Sequence, residues 1–242
     1  MNNHHLTGAI SANLIAAASY SQADNKDFRP ALHGMLIDPH PNGGVTVVST
    51  NGHTLFIAYD ENSTISEKAI VQFSPHFIAE CKRQARPIAT NRYVELDGRL
   101  AYVTHRQMDE TFEPGQFETL TTENLPAIEP LKVIDEIFPN YQRVIPQETL
   151  PTAAPTSLNA KYLSNLPKIA DALGIPKKSQ YITVFGTGDK PEESHKYSCI
   201  YRFDYRDINA LLVIMPARND FKGNGIPEWI SRPTETRQEK AA

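Results

Sequence analysis

The sequence predicts an α+β fold built from a repeated unit, in which a helix is followed by antiparallel strands. Apolar residues recur at helical spacing in three places, and strand-like runs joined by tight turns accompany each of them. Strands that are joined by tight turns pair antiparallel, and helices on one face of such a sheet complete its core. Because the order of one helix and three strands appears three times, at a spacing of roughly 70 residues, the helix-plus-sheet half-domain is the expected repeat.

The first repeat opens with a helix over 11–21, and Ser11 is its expected N-cap. Strands are expected over 31–37, 45–49 and 54–59. Proline, asparagine and glycine between the first two of these strands are typical of a hairpin loop.

The second repeat contains the clearest helix start in the chain. Ser74 followed by Pro75 combines a capping side chain with proline at the first helical position, and the helix is expected to run to about Arg86. The strands of this repeat are expected over 70–73, 93–96, 100–104 and 117–121, and Asp97-Gly98-Arg99 is expected to form a tight turn between the second and third of them.

The third repeat begins with a helix over 161–173, which Gly174 is expected to end. Pro167 falls inside this range, so it either interrupts the helix or restarts it. Strands are expected over 181–185, 198–205 and 209–215.

Composition narrows the class of protein. The 242 residues are 40% hydrophobic and 21% charged, which is typical of a soluble globular chain. No apolar run approaches the roughly 20 residues of a membrane helix, so no membrane contact is expected. Two cysteines indicate a reducing cytoplasm and no disulfide framework. No phosphate loop, nucleophile elbow or metal motif is present, so neither a cofactor nor a metal is expected.

Four segments, in this order along the chain, give the sequence a specific resemblance. They are Arg29–Leu36, Val48–Leu55 with the turn Asn51-Gly52-His53, Phe138–Pro146, and Val213–Arg218. Each resembles a segment of the bacterial DNA polymerase III beta subunit, the sliding clamp, and they occur in the family's order. The resemblance therefore implies a DNA-clamp fold over most of the chain.

In that family these segments converge on a pocket that captures short linear motifs from polymerases and other clamp-binding proteins. Several apolar residues of the matching positions are expected to line a groove, and His53, Arg143 and Arg218 are expected to supply donors at its rim. The residues that the resemblance assigns to this client-peptide pocket are Leu32, Thr50, Gly52, His53, Thr54, Leu55, Pro139, Arg143, Val144, Val213, Met215, Pro216, Ala217 and Arg218.

The sequence also departs from the family. Asn51 replaces the usual acidic residue and Thr54 the usual arginine, so a charge is lost at the rim. The chain has only three half-units and lacks the family's N-terminal domain. The expected division is a complete clamp-like domain over 1–146 (half-units at about 1–65 and 66–125, connector 126–146), one half-unit over 147–218, and a polar tail over 219–242.

Contact with DNA depends on the helices, which in clamps offer Lys and Arg to the phosphates of double-stranded DNA without reading sequence. On the second helix Lys82, Arg83 and Arg86 lie opposite the apolar face, and Lys161 and Lys168 belong to the third helix. The first helix offers no basic residue, and the net charge is -4. From composition alone, a polar helix face with Lys82, Arg83 and Arg86 is more typical of a solvated surface.

Three functions remain open. The first is a processivity clamp that tethers a polymerase or another client to DNA, with the half-unit count favouring a homo-oligomer. The second is a clamp-like decoy or adaptor that binds clients without encircling DNA, which the missing domain and the acidic balance favour. The third is a metal-dependent hydrolase that uses His33, His53 or His105, although no ligand spacing supports it.

Overall fold

The computed structural model describes residues 6–83, 90–107, 127–145, 157–187, 196–205 and 208–217. The helices in these stretches are α1 Ala12–Ala18, α2 Pro75–Lys82, α3 Ala160–Leu163 and α4 Leu166–Ala172. The strands are β1 Thr7–Ser11, β2 Met35–Pro39, β3 Val45–Thr50, β4 Thr54–Asp60, β5 Thr64–Ile65, β6 Ala69–Gln72, β7 Thr90–Asp97, β8 Leu100–Gln107, β9 Ala127–Pro130, β10 Lys132–Val133, β11 Ile182–Gly186, β12 Cys199–Tyr205 and β13 Ile208–Ile214. None of the described helices is both long and apolar enough to cross a membrane.

The described strands form two sheets in which neighbouring strands are antiparallel. One sheet has the order β5-β1-β7-β8-β9, and the other has the order β10-β6-β2-β3-β4-β13-β12-β11. A helix followed by three strands recurs three times, as α1 with β2–β4, α2 with β7–β9, and α3/α4 with β11–β13. The α+β class and its repeated helix-plus-sheet unit are confirmed.

The repeats are joined by exchange of strands. The first strand of the second repeat, β6, pairs with β2 of the first repeat, and β1 pairs in turn with β7. The third repeat extends the larger sheet, because β13 pairs with β4 so that Val213 faces Leu55. The division into a domain over 1–146 and a half-unit over 147–218 stays a prediction.

The main core lies between the helices and the two sheets. α1 packs against both α2 and α4, and its alanine-rich surface lets these helices approach closely. Phe56, Phe77 and Phe203 are fully buried in this cluster. Each such side chain stabilises the fold by about 1.5–3 kcal/mol relative to an exposed one.

A second, smaller cluster covers the opposite face of the larger sheet. Val48, Leu55 and Val213 belong to it, and Phe138 and Tyr141 of the connector pack against this cluster. The alternation of side chains along a strand explains why β4 and β13 are apolar at successive positions, since both faces of these strands are covered. This arrangement attaches the connector to the face of the larger sheet opposite the main core.

The second helix starts as the sequence predicts. The Ser74 hydroxyl accepts a hydrogen bond from the Phe77 backbone N–H at 3.2 Å, and Pro75 occupies the first turn. Its expected end near Arg86 is wrong, because α2 ends at Lys82 and Arg83 has an extended backbone.

Other boundaries also differ from those expected. Residues 7–11 form β1, so α1 starts at Ala12, and the Ser11 side chain makes no capping hydrogen bond. The expected strand over 31–37 begins only at Met35, after a short 3-10 turn. Pro167 divides the third helix into α3 and α4. The strand expected over 117–121 lies outside the described residues.

We expect the free energy of unfolding to fall as the pH rises from about 10 to about 12. Burial, followed by the neighbouring Cys199, raises the pKa of Tyr201 to about 12, whereas an unfolded tyrosine titrates near 10. Above that lower value the unfolded chain releases a proton that the folded chain retains, so unfolding becomes more favourable.

Between these pH values the free energy of unfolding of Tyr201→Phe, measured with urea, should fall less steeply than that of the wild type. Part of the fall should remain, because burial and the Asp97 hydrogen bond raise the pKa of Tyr102 to about 12 as well. Tyr181→Phe, at a tyrosine whose side chain is largely in solvent, is the control and should retain the wild-type slope. Identical slopes for all three proteins would contradict the assignment.

Candidate functional site

The turn between β3 and β4 is held by one side-chain oxygen. Asn51 Oδ1 accepts hydrogen bonds from the backbone N–H groups of His53 and Thr54, both at 2.9 Å, and from the Thr54 hydroxyl at 3.2 Å. Gly52 has a φ of 86°, in the left-handed region that glycine adopts without strain. Asparagine thus provides the acceptor that this turn needs without the carboxylate of the family pattern.

The side chains of Thr50 and Thr54 add further hydrogen bonds inside the turn. The Thr50 hydroxyl donates to the Thr54 carbonyl at 2.7 Å and accepts from the Gly52 N–H at 3.1 Å. Thr54 is buried, and its hydroxyl is directed to Asn51. Where the family pattern has arginine, this chain has Thr54, whose hydroxyl bonds within the turn and offers no donor at the surface.

Arg29 places a positive charge beside the same turn. It donates to the Asn51 carbonyl at 3.2 Å, and its guanidinium lies 2.9 Å from where a Cβ on Gly52 would stand. Two further bonds, at 2.8 and 2.9 Å, tie the guanidinium to the Asp27 carboxylate. These hydrogen bonds hold the pKa of Asp27 well below its usual range.

Sequence reasoning did not select Arg29 as a site residue. The signal that was available is its place at the head of the Arg29–Leu36 segment, two residues after an aspartate that can orient it. Its contact with a turn more than twenty residues away is visible only in the fold.

The turn and the last described strand meet directly. β13 pairs with β4 up to Ile214 and Thr54, and the Met215 N–H then donates to the His53 carbonyl at 2.9 Å. We call this contact and the residues around it, 50–55 and 213–217, the β4–β13 junction. Two segments that lie far apart in the sequence are therefore brought to one surface.

Two contacts with the third repeat hold the junction in place. The His53 ring stacks on the Tyr162 ring of α3 with centroids 5.7 Å apart and planes inclined at 17°. The Ala217 N–H donates to the Ser157 carbonyl at 2.7 Å. His53 is exposed on its other side and half-buried Met215, Pro216 and Ala217 continue the surface.

The residues expected to line the pocket differ in accessibility. Leu32, Thr54, Leu55 and Val213 are buried, so they support the surface from beneath. Gly52 and His53 are exposed, and Thr50 is half-buried. The apolar surface open to a ligand at the β4–β13 junction is thus formed by the half-buried residues after Ile214, and their role in binding stays a prediction.

Three further residues predicted for the pocket lie in the connector. Phe138 and Tyr141 anchor it to the second cluster, while Pro139, Arg143 and Val144 are exposed beside them. A 3-10 turn over Tyr141–Val144 holds the last two outward. Arg218 lies outside the described residues.

A cleft of about 1050 Å³ lies between the connector and the β10-β6-β2 edge of the larger sheet. Pro139 is the single predicted pocket residue among those lining it. Its walls carry the ion pair of Lys68 and Asp38, at 2.7 Å. Burial raises the pKa of Tyr141, and the Asp38 carboxylate adds to that rise.

The residues predicted to face DNA are exposed where the structure describes them, and their contact with DNA stays a prediction. The Lys82 ammonium lies 4.0 Å from the centre of the Tyr20 ring. Burial lowers the pKa of Lys82, and the nearby Lys168 lowers it further. Arg83 pairs with Glu80 at 3.1 Å. Lys161 and Lys168 are exposed on α3 and α4, and Arg86 lies outside the described residues.

The described residues contain no group of three or more His, Cys, Asp or Glu side chains that could hold a metal ion. His33, one of the residues considered for hydrolysis, has its Nε2 bonded to the Asp27 backbone carbonyl at 2.8 Å. His53 stacks on Tyr162, and the side chain of His105 is not among those described.

Solved structures of bacterial sliding clamps share this fold. A DNA polymerase sliding clamp from Pseudomonas aeruginosa matches 88% of this chain and 67% of its own, with a TM-score of 0.53 and 18% identity. A clamp from Bartonella birtlesii bound to griselimycin matches 87% of this chain and 65% of its own, with a TM-score of 0.51 and 15% identity. The DNA polymerase III beta subunit from Borrelia burgdorferi, in complex with a natural product, matches 90% of this chain and 65% of its own, with a TM-score of 0.51 and 12% identity.

No family model matches the sequence, and no curated protein matches it either. The chain spans about two thirds of the length of the clamps that it resembles. The expected DNA-clamp fold is confirmed.

Proposed function

We propose that this chain is a clamp-like binding module, without catalytic activity, that holds linear motifs of polymerases or other replication and repair proteins at the β4–β13 junction. The hydrogen bond from Met215 to the His53 carbonyl is the observation that carries the proposal, because it joins the two segments that the family resemblance assigns to one pocket.

The chemistry of the surface suits an extended peptide. Met215, with its flexible and polarizable side chain, adapts to apolar anchors of different shape, and Pro216 extends the apolar surface. His53 and Arg143 are exposed donors for peptide carbonyls or a glutamine side chain, and Arg29 adds a third at the turn. A peptide held in this way depends on a few anchors more than on its total contact area.

The clamp from Bartonella birtlesii, which binds griselimycin, gives general support because it shares this fold. Both segments belong to strands of one continuous sheet, which supports a site formed within this single chain.

The test is binding of a fluorescein-labelled peptide that carries the clamp-binding motif of a bacterial polymerase, followed by fluorescence anisotropy. Met215→Glu places a carboxylate on the apolar surface and should raise the Kd at least about tenfold. His53→Ala, at an exposed side chain, should weaken binding in the same direction.

Ile128→Glu is the matched control, because Ile128 is an exposed apolar residue on β9 of the other sheet. It should bind the peptide as the wild type does. Equal affinity of the wild type, Met215→Glu and His53→Ala would overturn the assignment of the site.

A second version of the function adds a tether to double-stranded DNA and closure of a ring by several copies. The structure gives less support to this version, since α1 carries no Lys or Arg, Arg83 is paired with Glu80, and Lys82 lies over Tyr20. We therefore favour an adaptor or decoy that binds clients without encircling DNA. Retention on closed circular DNA, with loss after the circle is cut, would favour the tether instead.

A further inference from the structure

The cleft of about 1050 Å³ between the connector and the β10-β6-β2 edge has no role in the proposed function, and we call it the connector cleft. Leu36, Ile70 and Phe138 line it, and all three also belong to the second cluster or pack against it. The apolar floor of the connector cleft is therefore continuous with a part of the core. A concave surface of this kind, with an apolar floor, is typical of a binding site.

The walls of the connector cleft are held in place by contacts within the chain. The Ile134 N–H donates to the Ile70 carbonyl at 2.8 Å, and β10 pairs with β6 so that Val133 lies opposite Val71. Gly34 lets the connector approach closely, because a Cβ there would stand 3.0 Å from the Cδ1 of Ile134. The connector cleft is thus formed before any ligand arrives, so binding does not incur the entropic cost of ordering its walls.

Acidic groups outnumber basic groups along the connector cleft. Among the described residues that line it, Asp38, Glu67, Asp135 and Glu136 carry carboxylates, and Lys68 alone carries a positive charge. Lys68 is already paired with Asp38, at 2.7 Å. The remaining excess of negative charge attracts a positively charged partner and disfavours an acidic one.

Asp135 and Glu136 are the acidic groups best placed to meet such a partner. Both are exposed, and the hydrogen bonds and ion pairs among the described residues engage neither of them. The next residue, Ile137, is 92% exposed and also lines the connector cleft. An apolar surface that charged residues border is typical of a site for another protein.

We propose that the connector cleft binds an extended basic segment of a partner protein, in which lysine or arginine alternates with aliphatic residues. The aliphatic side chains pack on the apolar floor, and the cations face Asp135 and Glu136 at the rim. Successive side chains of an extended segment point to opposite sides, so one segment meets both surfaces. A small polycation would match the charges but would leave the apolar floor uncovered.

This inference goes beyond the proposed function and does not depend on it. Neither His53 nor Met215 of the β4–β13 junction lines the connector cleft. Ion pairs of exposed carboxylates are weakened by water and salt, so the affinity depends on the apolar floor as well as on charge. We accordingly expect a Kd of about 10–100 µM.

The probe is a fluorescein-labelled heptapeptide in which arginine or lysine alternates with leucine, followed by fluorescence anisotropy with the full chain. Binding should be saturable, and the Kd should rise severalfold between about 50 mM and about 300 mM NaCl. Asp135→Lys and Glu136→Lys should each raise the Kd at least about fivefold, because each replaces an attraction with a repulsion. A peptide with serine in place of each leucine should also bind at least about fivefold more weakly.

Glu61→Lys is the matched control, because it makes the same change of charge at an exposed glutamate between β4 and β5, outside the connector cleft. Its Kd for the heptapeptide should stay within about twofold of the wild-type value. Met215→Glu should also keep the wild-type Kd, which separates this site from the β4–β13 junction. Circular dichroism shows whether each variant is folded.

Several outcomes would overturn the proposal. They are absence of saturable binding, an unchanged Kd for folded Asp135→Lys and Glu136→Lys, an equal loss of affinity in Glu61→Lys, and equal binding of a peptide with glutamate in place of each cation. If spermine, which has cations but no aliphatic side chains, bound to the same carboxylates as tightly as the heptapeptide, the connector cleft would be a site for small cations and the proposal would be wrong.

Discussion

Replacement of Phe56 by alanine should lower the free energy of unfolding by about 3–5 kcal/mol, the largest effect expected of any single change discussed for this chain. Phe56 is fully buried in the main core, so its loss removes apolar burial and leaves a cavity. It also stands at the centre of the larger sheet, opposite Ser49 of β3 and Leu212 of β13. The cavity therefore lies where the first and third repeats are joined.

Urea unfolding monitored by circular dichroism measures this effect. Phe28→Ala is the matched control, because the same ring is 88% exposed there, and a change within about 0.5 kcal/mol is expected. Equal destabilisation by the two substitutions would show that the β4–β13 pairing is not the centre of the core.

Replacement of Asn51 by leucine should lower the free energy of unfolding by about 2–3 kcal/mol and should also weaken peptide binding. The substitution removes the one oxygen that accepts three hydrogen bonds in the turn. The Thr54 hydroxyl, which is buried, then loses its acceptor, and a buried polar group without a partner is costly. Since the His53 carbonyl belongs to the same turn, its bond to Met215 is disturbed as well.

Asn51→Asp is the control, because it keeps the side-chain oxygen that accepts the hydrogen bonds and removes the amide NH2 group. The carboxylate keeps an oxygen at the same place and restores the acidic residue of the family pattern, while Arg29 nearby compensates its charge. We expect wild-type peptide affinity and a stability within about 1 kcal/mol of the wild type. If Asn51→Asp were as damaging as Asn51→Leu, the turn would depend on the amide N–H2 group and our account of it would be wrong.

Features that depend on a few neighbouring residues were predictable from the sequence. The capped start of α2 at Ser74-Pro75 is one, and the turn after Asp97 is another, with Gly98 at a φ of 90° and the Asp97 carboxylate accepting from Leu100. In both cases the bonding partners lie within three residues, so the signal is local.

Features that depend on distant contacts were not predictable from periodicity. β1 has a weak strand pattern, yet it forms because β7 and β5 flank it, and Gly8 allows β5 to approach so closely that a Cβ would stand 2.4 Å from the Thr64 carbonyl oxygen. The family resemblance alone led us to expect that the segments containing β4 and β13 converge on one pocket, and their direct pairing was not predicted. Nothing in the spacing of either strand points to the other.

The candidate site likewise depends on contacts between residues that are distant in the sequence. The positions around Gly52 and Met215 were expected to meet, and they do. Leu55 and Val213 were expected to line a groove; both are buried in the second cluster, and their part in binding stays a prediction. β13 is apolar at five successive positions, from Ala210 to Ile214, which is the pattern of a strand buried on both faces and was the available signal.

The distance along the chain between β4 and β13 has a consequence for biosynthesis. The ribosome delivers β4 long before Ile208 and the strand that follows it, so the edge of β4 remains uncovered while the intervening repeats are made. That edge is apolar on both faces, the condition under which nascent chains aggregate or recruit chaperones. Translation speed between Asp60 and Ile208 thus sets how long each new molecule is exposed to this hazard.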